Sequence, residues 1–239
     1  MIYYTGDLHG VGHKLINFIE QHSITKDDVI VILGDAGFNY YGNDYGDKSL
    51  KKKINRLGIT IFSIHGNHEQ RPEMIPSYHL KYWNGGQVYI EDDYPNLLFA
   101  KDGELFNLDG NKSIVLGGAY SVDKFYRLLN GYHWFDNEQP SEEIKHYAAT
   151  NLEKCKWEVD TVLSHTCPYK YIPTEAFLPS IDQTLVDNST EKWLDDIENK
   201  LTYKYWLCGH WHIDKRIDKI HILMEDFISL TEYRNDNKN

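Results

Sequence analysis

Cysteine is scarce in this chain: three residues in 239 (Cys155, Cys167 and Cys208), with no C-x-x-C spacing. An odd, scattered set excludes a disulfide framework and leaves no thiolate-rich zinc or iron–sulfur centre. A reducing, cytoplasmic setting is the expectation. Long apolar runs are missing too. None approaches the roughly 18 residues that a membrane-spanning helix needs, and the opening M-I-Y-Y-T-G-D has neither the basic nor the apolar region of a secretory signal. No membrane partner is expected. Positive charge is in deficit, with 25 Lys and Arg against 36 Asp and Glu and a formal net charge of −11. An acidic surface repels nucleic-acid backbones, so duplex nucleic acid is a disfavoured partner; bound cations could still invert the field locally. No repeat, low-complexity tract or Pro/Gly/Ser-rich linker interrupts the chain. At 41% hydrophobic residues it has the material for a well-buried core, and residues 1–239 read as a single domain.

The patterning alternates in the first third. Ile2–Thr5, 29–33 and 60–64 are short apolar strands; the last two are β-branched runs of the kind buried on both faces. Residues 14–22 place Leu15, Ile16, Phe18 and Ile19 at helical spacing, and the Lys-rich stretch 49–57 reads as a solvated helix. Strands alternating with helices predict a largely parallel sheet. The middle predicts antiparallel hairpins, the start of a second sheet, from short strands at 88–90, Leu97–Ala100, Leu105–Leu108 and 113–116, with a turn at Asp109-Gly110. Beyond them lie a helix over 141–154 capped by Ser141, a strand at Thr161–Ser164, and a helix over 190–201 with Asn188 and Glu191 in capping-box register. Strands at Tyr205–Cys208, 220–224 and 227–230 complete the pattern.

The informative residues stand where strands end. Ile2–Thr5 is followed by G-D-L-H, giving Asp7 and His9. The next strand is followed by Asp35, the third by H-G-N-H-E with Asn67 and His68, Thr161–Ser164 by His165, and Tyr205–Cys208 by G-H-W-H with His210 and His212. In an extended segment the last two imidazoles share a side. Singly, each motif is commonplace: Gly-Asp is a frequent turn, and one D-x-H says little. Together, five strands each deliver an oxygen or imidazole donor to the carboxyl edge of a sheet, where α/β proteins bind ligands. Carboxylates, an amide and imidazoles suit divalent Mn, Fe or Zn. The donors are too many for one ion, and a carboxylate such as Asp35 can bridge a pair. His13, His22, His65, His79, His133, His146 and His221 read as structural or surface residues.

The series D-L-H, G-D, G-N-H-E, His165 and G-H-W-H, running in this order from residue 7 to residue 212, closely resembles the calcineurin-like metallophosphoesterases. T-G-D-L-H-G and G-N-H-E are similar to bacterial and phage members near the phosphoprotein phosphatases and diadenosine tetraphosphate hydrolases. The resemblance implies an α/β fold, a four-layer α/β/β/α sandwich of two mixed sheets flanked by helices. It implies two divalent cations, manganese favoured, one held by Asp7, His9, Asp35 and His212 and the other by Asp35, Asn67, His165 and His210, with Asp35 bridging. A hydroxide shared by the two would attack phosphorus in line, with His68 as general acid and Glu69 supporting the turn.

One departure stands out. Where the phosphatase branch continues G-D-x-V-D-R-G, this chain has G-D-A-G-F-N, with Phe38 and Asn39 replacing the aspartate and the phosphate-clamping arginine. Asn39, Arg71, Ser121, Lys124 and Arg127 are therefore the candidates for substrate contact, the last three from a segment opening into a helix. Loss of the clamp favours a phosphodiester or a small nucleotide-type substrate. A phosphomonoesterase acting on small esters or on phosphoserine and phosphothreonine is the alternative, and a non-catalytic metal-stabilised module the more distant one.

Overall fold

The computed structural model describes residues 1–231. Six short strands form a first sheet: β1 (Ile2–Thr5), β2 (Val29–Ile32), β3 (Thr60–Ser63), β4 (His79–Trp83), β5 (Gly86–Ile90) and β6 (Leu97–Ala100), in the order β1-β2-β3-β6-β5-β4. The first four in that order run parallel and the last two are antiparallel. A second sheet has the order β11-β12-β10-β9-β8-β7, built from β7 (Leu105–Leu108), β8 (Asn111–Leu116), β9 (Thr161–Ser164), β10 (Tyr205–Cys208), β11 (Lys215–Ile217) and β12 (Ile220–Ile222). Its inner strands β8, β9, β10 and β12 are parallel and its edges antiparallel.

Alternation along each strand explains the layering. Val31 of β2 and the following Leu33 face a core between the sheets, shared with Phe62, Val115, Leu163 and Leu207. Ile30 and Ile32 face outward, where α1 (Gly12–Gln21) and α2 (Tyr45–Asn55) bring Leu15, Phe18 and Ile54. On the far side Ile114, Val162 and Trp206 meet Ala148 and Leu152 of α4 (Glu142–Lys154) and Leu194 and Ile197 of α5 (Ser189–Glu198). The result is four layers, helix, sheet, sheet, helix, with the central strands of each sheet buried and the edge strands β4 and β11 largely open to solvent. The short α3 (Lys124–Asn130) buries none of its residues.

Several expectations change. The central hairpins do not make one sheet: β4, β5 and β6 extend the first, while β7 and β8, joined through Asp109 and Gly110 at positive φ, begin the second. Residues 227–230 form no strand; Ile228 makes a single antiparallel bridge to Tyr4. Lys51 of the supposedly solvated α2 is fully buried, 2.6 Å from Glu91. Ser141 caps α4 by accepting from the Ile144 N–H, but Asn188 gives α5 no side-chain cap. Among the described residues no helix is long and apolar enough to cross a membrane.

Candidate metal centre

The carboxyl ends of β1, β2 and β3 meet those of β9 and β10 across the two sheets, and they meet by hydrogen bonds. The His210 N–H donates to Asp7 Oδ1 at 2.9 Å, and His165 Nδ1 donates to the Leu33 carbonyl at 2.8 Å. The second bond fixes the tautomer of a wholly buried ring and turns its Nε2 to the centre. Four donor-bearing residues, His9, Asp35, His210 and His212, have φ between 46° and 69°, a left-handed backbone that non-glycine residues adopt at a cost and that gathers at functional sites. Neighbouring glycines make room. A Cβ on Gly66 would overlap the Asp35 carboxylate, and one on Gly34, itself at φ 97°, would overlap the His165 ring.

Two donor groups result. In the first, His9 Nε2 and His212 Nε2 lie 2.8 Å apart, and Asp7 Oδ2 lies 3.6 and 3.3 Å from them. In the second, Asn67 Oδ1 lies 2.8 Å from His165 Nε2 and 3.0 Å from His210 Nδ1. Asp35 stands between. Its Oδ1 accepts the His68 N–H at 2.8 Å, while Oδ2 is 3.8 Å from His9 Nδ1 and 3.6 Å from His165 Nε2. Asp7, Asp35 and His165 also offer mutually close donor atoms.

These groups fit divalent cations. With ligand bonds of about 2.1 Å, donors around a shared ion sit about 3 Å apart, the spacing seen in both groups. Asp7 Oδ2 is buried without a hydrogen-bond partner, a cost that coordination would relieve. Burial would raise the Asp7 and Asp35 carboxyls, but His165 and the other imidazoles outweigh it and hold both below the usual range. Burial pushes His210 well down, leaving it a neutral ligand, whereas the adjacent Asp7 carboxylate draws His212 up. The expectation of an extended G-H-W-H with both rings on one side gives way to a bend in which His210 serves the second group and His212 the first.

The other candidate residues are scattered. His68 borders the cavity beside the donors; burial lowers its imidazole, Asp35 opposes that, and Arg127 and Asp123 act in opposite directions. Glu69 accepts the Ala36 N–H, bracing the Asp35 turn. Ser121 is buried and accepts from Asn67 Nδ2 at 2.8 Å, which aims the amide oxygen at the imidazoles. Asn39, Arg71, Lys124 and Arg127 do not line the cavity. Asn39 is buried and takes the Tyr78 hydroxyl at 3.1 Å. Arg71 is locked to Asp102 at 2.6 Å and to the Asn137 carbonyl. Lys124 lies 4.0 Å over the Trp134 ring, and Arg127 binds Asp123 and the Tyr40 hydroxyl. Tyr126 and Tyr132 are exposed.

Sequence reasoning missed the cavity wall itself. Much of it, including Phe177, Leu178, Ile181, Val186 and Glu191, belongs to the irregular segment 165–188 and the start of α5. The available signal was that segment's length directly after a donor histidine, since long irregular loops are usually functional.

Two mixed α/β sheets whose strand ends converge on clustered carboxylates and imidazoles define a metallohydrolase-type centre. The chain belongs to the calcineurin-like phosphoesterases: the family model matches residues 1–214, and the protein is accordingly a metal-dependent phosphoesterase. One solved crystal structure superposes with a TM-score of 0.53 at 14% identity, covering 97% of this chain and 95% of its own. The crystal structure of TT1561 of Thermus thermophilus does so with a TM-score of 0.50 at 11% identity, covering 93% and 87%. Both likenesses are of fold. No curated protein was found to match.

Proposed function

We propose that the protein hydrolyses a small phosphodiester or nucleotide-type ester at a binuclear centre, with Asp35 shared between the two donor groups. The observation that carries this is Asp35 Oδ2, 3.6 Å from His165 Nε2 of the second group and 3.8 Å from Nδ1 of His9, whose Nε2 belongs to the first, while Oδ1 accepts the His68 N–H. Two divalent cations, manganese favoured, would supply charge neutralisation at the phosphoryl oxygens and a nucleophile at neutral pH. Asp7, His9 and His212 would hold one; Asn67, His165 and His210 the other. His165 is aimed by the Leu33 carbonyl and Asn67 by Ser121, so those two side chains need little reorganisation on loading. His68, which lines the cavity, would pass a proton to the departing oxygen.

A diester is favoured because the arginine that would clamp a second phosphoryl charge is absent and Arg71 is committed to Asp102. The acidic net charge favours a small substrate over duplex nucleic acid.

The test is hydrolysis of bis(p-nitrophenyl) phosphate against p-nitrophenyl phosphate after chelation and Mn²⁺ reconstitution. Diester preference is expected, and Asp35→Asn should lose activity by orders of magnitude. Most of the wild-type turnover surviving in that variant would exclude the shared role, and monoester preference would exclude the diester. His68→Ala should keep its manganese and lose about 10²–10⁴-fold, most on esters with poor leaving groups. Equal losses on good and poor leaving groups would remove the general-acid role.

A further inference from the structure

A cavity of about 320 Å³ opens directly beside Asp35, Asn67, His210 and His212. Three strand-end segments wall it. Tyr120 follows β8; Phe177, Leu178 and Ile181 come from the segment after β9; Trp211 and Ile213 follow β10. The Phe177 and Trp211 rings, 6.1 Å apart and inclined at 38°, pack on each other and give the wall an aromatic patch. The volume is at the small end for ligand pockets, with room for a phosphoryl group and one ring system.

Its charge is equally specific. Asp123, Asp187 and Glu191 border it, and among the described residues no lysine or arginine does. The nearby cations are engaged elsewhere: Arg71 by Asp102, Arg127 by Asp123, Lys124 over Trp134. Two of the three carboxyls have partners of their own. Asp187 accepts the Ser189 N–H and the Gln139 amide and Asp123 accepts from Arg127, while Glu191 Oε2 is buried without a hydrogen-bond partner. A further anion placed here would be desolvated beside acidic side chains with no lysine or arginine lining the cavity to meet it, whereas a flat neutral group would exchange water for aromatic and aliphatic surface.

We propose that this cavity is the leaving-group subsite of the enzyme and that it takes a flat, uncharged ring system while refusing a second anionic group such as another phosphoryl. This rests on the phosphoester hydrolysis proposed for the adjoining donors. It narrows the substrate to an ester whose departing alcohol carries a neutral aromatic or heteroaromatic ring, and it argues against chains of phosphates running through the cavity.

Binding to the Mn²⁺-loaded full chain, measured by titration calorimetry, separates the possibilities without turnover. Phenylphosphonate should bind roughly tenfold or more tighter than methylphosphonate, and 4-carboxyphenylphosphonate, equal in shape but charged at the far end, should lose that advantage. Phe177→Ala and Leu178→Asp, both at accessible loop positions, should each erase the phenyl preference. Equal affinity for phenyl and methyl probes, a preference that survives in both variants, or tight binding of the carboxylated probe would overturn the subsite. Ester hydrolysis without the phenyl preference would sink the subsite alone. The preference without hydrolysis of any ester would keep the subsite and sink the proposed reaction.

Discussion

At the scale of single residues, the donor set was legible because it is written in residue type and position: an oxygen or imidazole after each buried strand, five times over. What the side chains around it do was not. Arg71, Lys124 and Arg127 were candidates for substrate because a cation near the motifs could reach inward. Their partners, Asp102, Trp134 and Tyr40, lie tens of residues away or on another element, and only the fold brings them together. Glu191, read as half of a capping box, is instead a buried carboxyl at the cavity wall, and burial raises it to about 7. Its folded pKa exceeds its unfolded one, so folding takes up a proton there. That contribution is complete below about pH 4.5 and is lost as the pH rises through about 7. Glu191→Gln stays neutral throughout, so it should flatten the fall in stability between about pH 5 and 8, an effect on the order of 3 kcal/mol. Urea unfolding across that range measures it. An unchanged slope would mean that Glu191 titrates normally in the folded chain.

At the scale of elements, continuous apolar runs rich in β-branched residues and the Asp-Gly turn between β7 and β8 made most strands readable. Pairing was not readable. The same apolar character suits either sheet, and what sends β5 and β6 to the first sheet is the company of β3, not anything in their own residues. The helix α2 shows the limit of composition. Lys48, Lys52 and Lys53 are not buried, as expected, but Lys51 sits one position round the helix and is buried with Glu91, Asn43 and the Tyr78 ring. Lys51→Met would leave the Glu91 carboxylate buried without its counter-charge, costing about 3–5 kcal/mol. Lys51→Met combined with Glu91→Leu should recover much of the loss. Urea denaturation of both variants decides; a double variant as unstable as the single would show that the lost pairing is not the cause. Manganese affinity of the folded fraction should be unaffected, because this network lies outside the cavity lining.

At the scale of the molecule, the donors are divided between the sheets: Asp7, His9, Asp35 and Asn67 come from the first and His165, His210 and His212 from the second. Cations bound there would tie the two layers together as well as serve the reaction. Manganese at about a hundredfold over its dissociation constant should add about 2.7 kcal/mol per site. In a chain of this size that raises the melting temperature by about 5–10 °C. Scanning calorimetry with manganese and with chelator tests this, and Asp35→Asn should respond much less. Identical melting with and without metal would argue that the donors are preorganised but do not bind the ion.

The chain completes its first sheet with β6 at Ala100 and starts the second only at Leu105, and the last donor, His212, follows β10. During synthesis the amino-terminal sheet can therefore assemble while three of the seven candidate donors, His165, His210 and His212, do not yet exist. Its inner face, carrying Val31, Phe62 and Leu98, has nothing to cover it until the second sheet is made. A ribosome that stalls between the two sheets would display a finished layer with a greasy, unclosed side. A centre that draws on both sheets can form only once translation has passed His212.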